Sequence, residues 1–238
     1  MSVAELSWLG VVRHGESTAN VAAEFAEAAG LTALDITERD ADVPLSATGA
    51  AQAGALRAWL AGLPVDQRPE VVLSSPYRRA VQTAELTIGD LDLPVRLDER
   101  LRDRELGVID LLTRYGVKQR YPEEAVRRAR LGPFYYRPPG GEAWTDVALR
   151  LRGVLGDLRR DHPDRRVLLF AHEAVVFLLR YLIEDLTEAE VRDLSAARLH
   201  NASVTAWTRA DGRLRLATFN DITHVTEAGA QVTRQSHV

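Results

Sequence analysis

Two hydrophobic periodicities alternate along the chain. Short apolar runs bounded by turn-forming residues predict strands, and the clearest predicted strand is RVLLFA at Arg166–Ala171. Stretches with apolar residues at helical spacing lie between such runs, and the longest predicts a helix over Trp144–Arg160, ended by His162 and Pro163. This alternation predicts an α/β fold, a three-layer αβα sandwich in which helices cover both faces of a mostly parallel sheet.

The same periodicities predict the remaining elements. We expect strands at Leu6–Val12, Val71–Leu73, Pro94–Leu97, Asn201–Trp207 and Arg213–Phe219, and helices at Thr18–Ala29, Thr48–Leu60, Arg79–Ile88 and Val175–Ile183. Asp211 and Gly212 separate the last two strands and favour a tight hairpin, which adds an antiparallel edge strand. We predict a single domain over residues 1–238, with residues 108–140 as a helical lid insertion and residues 30–44 as an inserted loop.

Composition narrows the class of protein. Of the 238 residues, 46% are hydrophobic and 27% charged, and the net charge is −4, so nothing indicates a nucleic-acid or anionic membrane partner. The absence of cysteine excludes disulfides and thiolate chemistry. No apolar stretch approaches the roughly 18 residues that span a bilayer, and the N-terminus lacks a cationic leader. We therefore expect a cytoplasmic protein that makes no membrane contact.

Guanidinium and imidazole side chains follow three of the predicted strands. They are Arg13 and His14, then Arg78 and Arg79, and then His172. A parallel sheet brings these strand ends to one edge, where buried positive charge requires an anion. Phosphate is the anion that fits, because a guanidinium group pairs with two of its oxygens at once. Gly15 is expected to let the backbone approach that anion closely.

Six motifs stand in a fixed order along the chain. They are RHGE followed by Asn20 (13–20), LSATGAAQA (45–53), SSPYRRAVQTA (74–84), GGE with Asp146 and Arg150 (140–150), FAH (170–172) and NASV (201–204). In these motifs the chain resembles the histidine phosphatase superfamily, which includes phosphoglycerate mutase-like enzymes, over most of its length. It departs from the family pattern at Ala143, where serine is usual, and at Glu173, where glycine is common.

The resemblance implies a catalytic mechanism. His14 attacks phosphorus and becomes a phosphohistidine, while Arg13, Arg79 and His172 hold the phosphate oxygens and offset the charge of the transition state. Asn20 is expected to add a neutral hydrogen bond. Neither a metal nor an organic cofactor is implied.

The mechanism also needs a carboxylic acid that protonates the departing alcohol. In LDERLRDRELG (97–107) the resemblance places Asp103 where many relatives have glutamate, and Asp103 is preferred on this register. Glu105 is the alternative, because it lies two residues later and on the same face of an extended segment. An aspartate has an ordinary pKa of about 3.9, so it requires burial or a neighbouring phosphate charge to donate a proton near neutrality.

Three further residues have two alternative roles each. Arg114 or Arg137, in the arginine-rich lid, either recognises a second anionic group of the substrate or belongs to a solvated helix face. Glu142 either orients an active-site group or caps the helix that follows it.

Three functions are weighed on these residues. The first is a phosphatase acting on a small phosphorylated metabolite. The second is a cofactor-dependent phosphoglycerate mutase, which is disfavoured because Ala19 stands where the mutases carry tryptophan and because the link from Asn20 to Leu45 is longer than usual. The third is a non-catalytic module that binds a phosphorylated ligand, which is disfavoured because the catalytic set is complete. The sequence leaves open whether the chain forms a homodimer.

Overall fold

The computed structural model describes residues 5–89 and 91–234, and the outermost ends of the domain predicted over residues 1–238 lie outside these ranges. Within them a single sheet contains six strands: β1 Trp8–Arg13, β2 Val71–Ser74, β3 Val95–Leu97, β4 Arg166–Ala171, β5 Val204–Ala210 and β6 Arg213–Asp221. The strand order is β3-β2-β4-β1-β5-β6. The first four strands of this order pair in parallel, whereas β5 and β6 are antiparallel and form the edge. The prediction of a mostly parallel sheet with an antiparallel edge is confirmed.

Nine helices belong to the described part of the chain. They are α1 Thr18–Ala28, α2 Ala47–Gly62, α3 Arg78–Ile88, α4 Arg114–Arg120, α5 Pro122–Tyr135, α6 Trp144–Asp161, α7 Glu173–Ile183, α8 Glu188–Ala196 and α9 Thr223–Glu227. Side chains of the central strands alternate between two helix layers: Val167 and Leu169 of β4 pack with α6 and α7, and Leu168 and Phe170 pack with α2 and α3. The three-layer sandwich is therefore confirmed.

The strand register places the motif residues at one edge of the sheet. Arg13, the last residue of β1, pairs with Ala171, the last residue of β4, so that His14 and His172 follow at the same level. The N–H of His14 donates to the carbonyl of Ala171 at 3.0 Å, and Ser75, which follows β2, donates to β4 in the same way. Parallel pairing thus brings together residues that are far apart in sequence.

Residues 108–140 form a helical insertion beside this edge, with a small hydrophobic cluster of its own. Helix α5 is interrupted at Gly132, whose φ of 67° is followed by Pro133. Residues of the loop 30–44 join the insertion, since Ala33 forms a β-bridge with Leu112. The cluster is built from Ile109, Leu112, Val117 and Tyr136, with Ala33 packed against it. The loop and the lid therefore pack as one unit.

Some elements differ from the sequence predictions. Strand β5 begins at Val204 rather than Asn201, because Ala202 adopts a left-handed turn with φ 56°. Helix α7 begins at Glu173, two residues earlier than predicted. Helices α8 and α9 were not predicted, since α8 buries only Val191 and α9 is five residues long, so that neither carries an apolar stripe.

Candidate active site

A cavity of about 880 Å³ opens at the carboxyl ends of the parallel strands. Side chains from the strand ends form its floor, and the lid and the loop 30–44 form its walls. Its lining includes Arg13, His14, Asn20, Arg79 and Asp103 from the predicted set. His172 lies directly behind this lining and is fully buried. The cavity is larger than a phosphate group, so it also has room for the organic part of a phosphate ester.

His14 is a buried, neutral imidazole with a defined tautomer. Its Nδ1 lies 2.7 Å from the carbonyl oxygen of Gly15, and because a carbonyl only accepts hydrogen bonds, Nδ1 carries the proton. The lone pair is therefore on Nε2. Burial lowers the pKa of His14 well below its ordinary value, and the positive charge of Arg79 lowers it further, as do His172 and Arg13.

His172 is held against both the strand end of β2 and the acidic segment. Its Nε2 lies 2.8 Å from Ser75 Oγ, and its Nδ1 lies 3.3 Å from Asp103 Oδ2. The ring centroids of His172 and His14 are 5.2 Å apart. Burial lowers the pKa of His172 to about 3, although the nearby Asp103 opposes this shift, so the ring is neutral at pH 7.

Arg13 is buried at the end of β1 and is paired with the helix that follows His172. Its Nη1 donates to the carbonyl of Leu199 and lies 3.6 Å from Glu173 Oε1. Glu173 also accepts a hydrogen bond of 2.8 Å from the N–H of Leu199. Burial lowers the pKa of Arg13 to about 10, and its Nε has no hydrogen-bond partner in the described residues. The departure from glycine at Glu173 thus supplies a counter-charge for Arg13.

Arg79 is buried at the start of α3 and contacts two carboxylates. Its guanidinium donates to Asp40 from both terminal nitrogens, at 2.9 Å and 3.2 Å, and to Asp103 Oδ2 at 3.1 Å. Burial alone would lower the pKa of Arg79, but the charges of Asp40 and Asp103 raise it above its ordinary value. Its neighbour Arg78 is exposed.

The two candidate acids occupy different environments. Asp103 lines the cavity, its side chain is 16% exposed, and its Oδ2 lies between Arg79 and His172. The side chain of Glu105 is 47% exposed, and its Oε1 accepts a hydrogen bond of 2.7 Å from the hydroxyl of Tyr77. The structure therefore places Asp103, and not Glu105, among the residues around His14.

Glu142 holds the acidic segment in place. Its carboxylate accepts hydrogen bonds from Arg102 at 2.7 Å, from Arg150 at 3.1 Å and from the N–H of Glu105 at 3.2 Å. Arg150 also donates to the carbonyl of Asp103 at 3.0 Å. Helix α6 is capped instead by Asp146, whose Oδ2 accepts from the N–H at Ala143. The contacts of Glu142 are those of the orienting alternative, and the capping contact is made by Asp146.

Two smaller residues support the floor of the cavity. Asn20 lines it, and its Oδ1 accepts from the N–H of Ser17 at 3.0 Å and from Nδ2 of Asn201 at 3.3 Å, which fixes the orientation of the amide. Gly15 is required by the packing of the backbone. A Cβ atom there would lie 2.6 Å from the carbonyl oxygen of Gly49, so residue 15 must pass close to the start of α2, and its approach to an anion stays a prediction.

The lid arginines separate into two groups. Arg114 and Arg128 line the cavity together with Lys118. Burial lowers the pKa of Arg128, and the charge of Arg114 lowers it further. Arg137 is 59% exposed, lies outside the cavity lining and pairs with Asp146 at 2.8 Å. The structure thus brings Arg114, but not Arg137, to the site.

Three acidic residues of the site were not predicted. Asp40 comes from the loop 30–44, where no periodicity marked it. Glu173 was visible only as a departure from the family pattern. Asp110 lines the cavity within an otherwise apolar run, and burial raises its pKa to about 6, assisted by Asp40. Asp110 could have been found from the sequence, because it is a single acidic residue inside an apolar run.

Residues 5–89 and 91–234 contain neither a membrane-spanning helix nor a metal-binding cluster. No helix there is long and apolar enough to cross a membrane. No group of three or more histidine, aspartate or glutamate side chains is placed to hold a metal ion in the same ranges.

The fold and the site define a class: an α/β protein in which two imidazoles and two guanidiniums lie together at the carboxyl edge of a parallel sheet, beside a cavity. Residues 9–222 match the family described as the histidine phosphatase superfamily (branch 1), and the chain belongs to that superfamily. The predicted superfamily is confirmed.

Named relatives extend over most of the chain. A glucosyl-3-phosphoglycerate phosphatase from Mycobacterium tuberculosis is 30% identical over 211 residues, covering 85% of this chain and 84% of that protein. A 2,3-bisphosphoglycerate-dependent phosphoglycerate mutase from Methylobacterium radiotolerans is 32% identical over 190 residues, 77% of this chain and 82% of that protein. The solved structure of the mycobacterial phosphatase with VO3 has a TM-score of 0.72 at 30% identity, covering 90% of this chain and 98% of that one. The phosphatase relatives bear out the predicted enzyme class, phosphoric monoester hydrolase.

Proposed function

We propose that this protein hydrolyses a small phosphate monoester through a phosphohistidine formed on His14. One observation carries the proposal: the Gly15 carbonyl holds the proton of His14 on Nδ1, which leaves the Nε2 lone pair on a residue that lines the cavity. The lowered pKa of His14 keeps this lone pair unprotonated at pH 7. A neutral, oriented imidazole beside two guanidiniums is a nucleophile matched to phosphorus.

The reaction then proceeds in two steps. In the first, Nε2 of His14 forms a bond to phosphorus while the bond from phosphorus to the ester oxygen breaks, and Asp103 gives its proton to that oxygen. In the second, water attacks phosphorus, Asp103 accepts the proton of the water, and the Nε2–phosphorus bond breaks to release inorganic phosphate. Arg13, Arg79 and His172 stabilise the charge on the phosphoryl oxygens in both steps.

The choice of Asp103 as the acid is supported by its position. It lies on the cavity wall and touches Arg79 and His172, whereas Glu105 is half exposed and bonded to Tyr77. The negative charge of a phosphate bound to Arg79 would lie beside Asp103 and would favour the protonated carboxylic acid that donation needs.

The cations of the lid support a substrate with a second anionic group. Arg114, Lys118 and Arg128 line the cavity, and neither Lys118 nor Arg128 forms an ion pair within the described residues. A carboxylate or second phosphate on the organic part of the substrate would neutralise them. Arg137 is excluded from this role by its pairing with Asp146.

A phosphoglycerate mutase is the second candidate, because one of the relatives over most of the chain carries that name. The two functions use the same pocket and differ in the group that accepts the phosphoryl from His14: water in the phosphatase, a second hydroxyl in the mutase. The long link between Asn20 and Leu45, which contains most of α1 and the loop 30–44, supports hydrolysis, since its length departs from the mutase pattern.

The test is phosphate release from a panel of phosphorylated metabolites, with His14→Ala as the matched inactive variant. We expect release by the native protein, its loss in the variant, and a ³²P-labelled phosphoprotein that is stable to alkali and labile to acid. Net conversion of 3- to 2-phosphoglycerate at a rate above phosphate release would instead identify the mutase. Equal release by the native protein and His14→Ala would contradict the proposal.

A further inference from the structure

One side chain of the loop 30–44 reaches the phosphate-binding arginine. Asp40–Asp42 form a single 3-10 turn, braced by an ion pair of 2.6 Å between Arg39 and Asp42. The turn places the carboxylate of Asp40 on the guanidinium of Arg79, with Oδ1 at 2.9 Å from Nη1 and Oδ2 at 3.2 Å from Nη2. Each carboxylate oxygen of Asp40 thus accepts a hydrogen bond from Arg79, the guanidinium that is proposed to bind phosphate.

Counting the hydrogen-bond donors of Arg79 shows how completely it is occupied. A guanidinium has two N–H groups on each terminal nitrogen and one on Nε. Nη1 donates to the carbonyl oxygen of Asp40 at 2.6 Å and to its Oδ1, and Nη2 donates to Asp40 Oδ2 and to Asp103 Oδ2. All four terminal N–H groups are taken, three of them by Asp40. A phosphate that engages Arg79 through both terminal nitrogens must therefore replace Asp40.

Electrostatic repulsion also opposes the simultaneous binding of Asp40 and phosphate to Arg79. Asp40 is a partly buried carboxylate, and burial raises its pKa, as does the neighbouring charge of Asp103. A phosphate dianion on Arg79 would add two further negative charges at contact distance from Asp40. Screening is weak at that distance, because no water lies between the charges. Asp40 and phosphate therefore cannot share Arg79 without strong repulsion.

We propose that Asp40 is an internal competitor of the substrate: its carboxylate occupies the phosphate position on Arg79, and a phosphate group must displace it in order to bind. This inference rests on the proposed function, because it takes Arg79 as a ligand of the substrate phosphate.

The loop has the anchors and the irregular segment that such a displacement requires. At one end Leu34 donates to the carbonyl of Leu111 in the lid at 2.9 Å, and at the other the N–H of Thr18 donates to Pro44 at 3.0 Å. Between these anchors residues 35–38 have no helix or strand structure and are mostly exposed. Rotations in that segment move the turn that carries Asp40 and leave both anchors in place.

Displacement has two consequences for the reaction. Free phosphate binds weakly, because it gains Arg79 only by removing Asp40, so the product leaves readily. A substrate with further contacts in the cavity, such as a second anion on the lid cations, offsets the displacement and is selected over a bare phosphate ester.

The test is direct binding of inorganic phosphate, measured by isothermal titration calorimetry on the native protein, Asp40→Ala, Asp40→Asn and Asp35→Ala. Asp35→Ala is the matched control, since it removes one negative charge from the same loop at an exposed position that does not bond to Arg79. We expect Asp40→Ala to lower the Kd for phosphate about tenfold. This is the change expected if, in the native protein, the state with Asp40 on Arg79 outweighs the state with Arg79 open by about ten to one. Asp40→Asn should give a smaller decrease, and Asp35→Ala should match the native protein.

Three other outcomes would contradict either the competitor role of Asp40 or the proposed function. An unchanged or higher Kd in Asp40→Ala overturns the competitor role, because Asp40 would then be neutral or would position Arg79 for phosphate. An equal decrease in Asp35→Ala also overturns it, since net charge alone would account for the effect. Absence of phosphate binding in all four proteins, together with absence of phosphate release from esters, contradicts the proposed function itself. Asp40→Asn keeps the test valid if the alanine variant does not fold.

Discussion

The strand-end pocket and the lid side of the cavity are built in different ways. In the pocket, His14, His172 and Arg13 are fixed by the hydrogen-bond register of adjacent parallel strands and are almost completely buried. On the lid side, Arg114 and Lys118 lie on exposed helical positions of an insertion with its own small cluster. The pocket is therefore rigid and suited to the chemistry, while the lid side is tolerant of change and suited to selecting the substrate.

The loop 30–44 connects these two regions. It pairs with the lid through Ala33 and Leu112, and it enters the pocket through Asp40 and Arg79. A movement of the lid would therefore also act on Arg79, because the loop 30–44 is bonded to both. The lid side and the strand-end pocket are therefore joined through a loop whose carboxylate, Asp40, contacts Arg79.

The largest effect is expected from the acid of the pocket. Asp103→Asn removes the proposed proton donor but keeps the shape of the side chain, so kcat for an alkyl phosphate should fall by about 10²–10⁴-fold. Glu105→Gln is the matched control and should change kcat less than about threefold, because that side chain is half exposed and bonded to Tyr77. Steady-state kinetics checks both. A larger loss in the glutamine variant would reverse the assignment of the acid.

An effect of intermediate size is expected on the free energy of unfolding when the pH is lowered. The pKa of His172 is about 3 in the folded protein and near 6.5 when unfolded, so the unfolded chain binds more protons between these values and stability falls as the pH drops below 6.5. From pH 7 to pH 5 this histidine should lower the free energy of unfolding by about 2 kcal/mol.

Asp110 titrates in the opposite sense, because its pKa is raised to about 6, so the measurement must be a difference between two proteins. Urea unfolding of the native protein and His172→Asn at both pH values provides it. We expect the loss of stability on acidification to be smaller in the variant by about 2 kcal/mol. An identical loss in both proteins would show that His172 is not held neutral by burial.

The smallest effect is expected on the lid side. Arg128→Gln should raise KM for 3-phosphoglycerate about fivefold, equivalent to about 1 kcal/mol for a partly exposed ion pair, and should leave kcat nearly unchanged. Glycerol 3-phosphate has the same size without the carboxylate, so its KM should not change. Arg137→Gln is the matched control, because this arginine pairs with Asp146 outside the cavity. Equal changes for both esters would contradict a second-anion contact.

Much of this architecture could be predicted from the sequence. The predicted strand Arg166–Ala171 coincides with β4, and the parallel register then places His14 beside His172. These predictions succeed because a strand buried on both faces has an unmistakable apolar pattern. Helix α8 could not be predicted, because it buries one residue and its stability comes from packing against α7.

The alternation of strands and helices, the superfamily, and the imidazole and guanidinium groups that meet at the sheet edge could be predicted from the sequence, because periodicity and ordered motifs are local properties of the chain. The contacts of the carboxylates with those groups depend on tertiary packing. The sequence favoured Asp103 over Glu105 by register, whereas Asp40 and Glu173 lie in remote segments without a shared pattern, and the contacts of all three with Arg79 and Arg13 exist only once the loop, the acidic segment and α7 have packed. Long-range charge pairing depends on distances that no local pattern encodes.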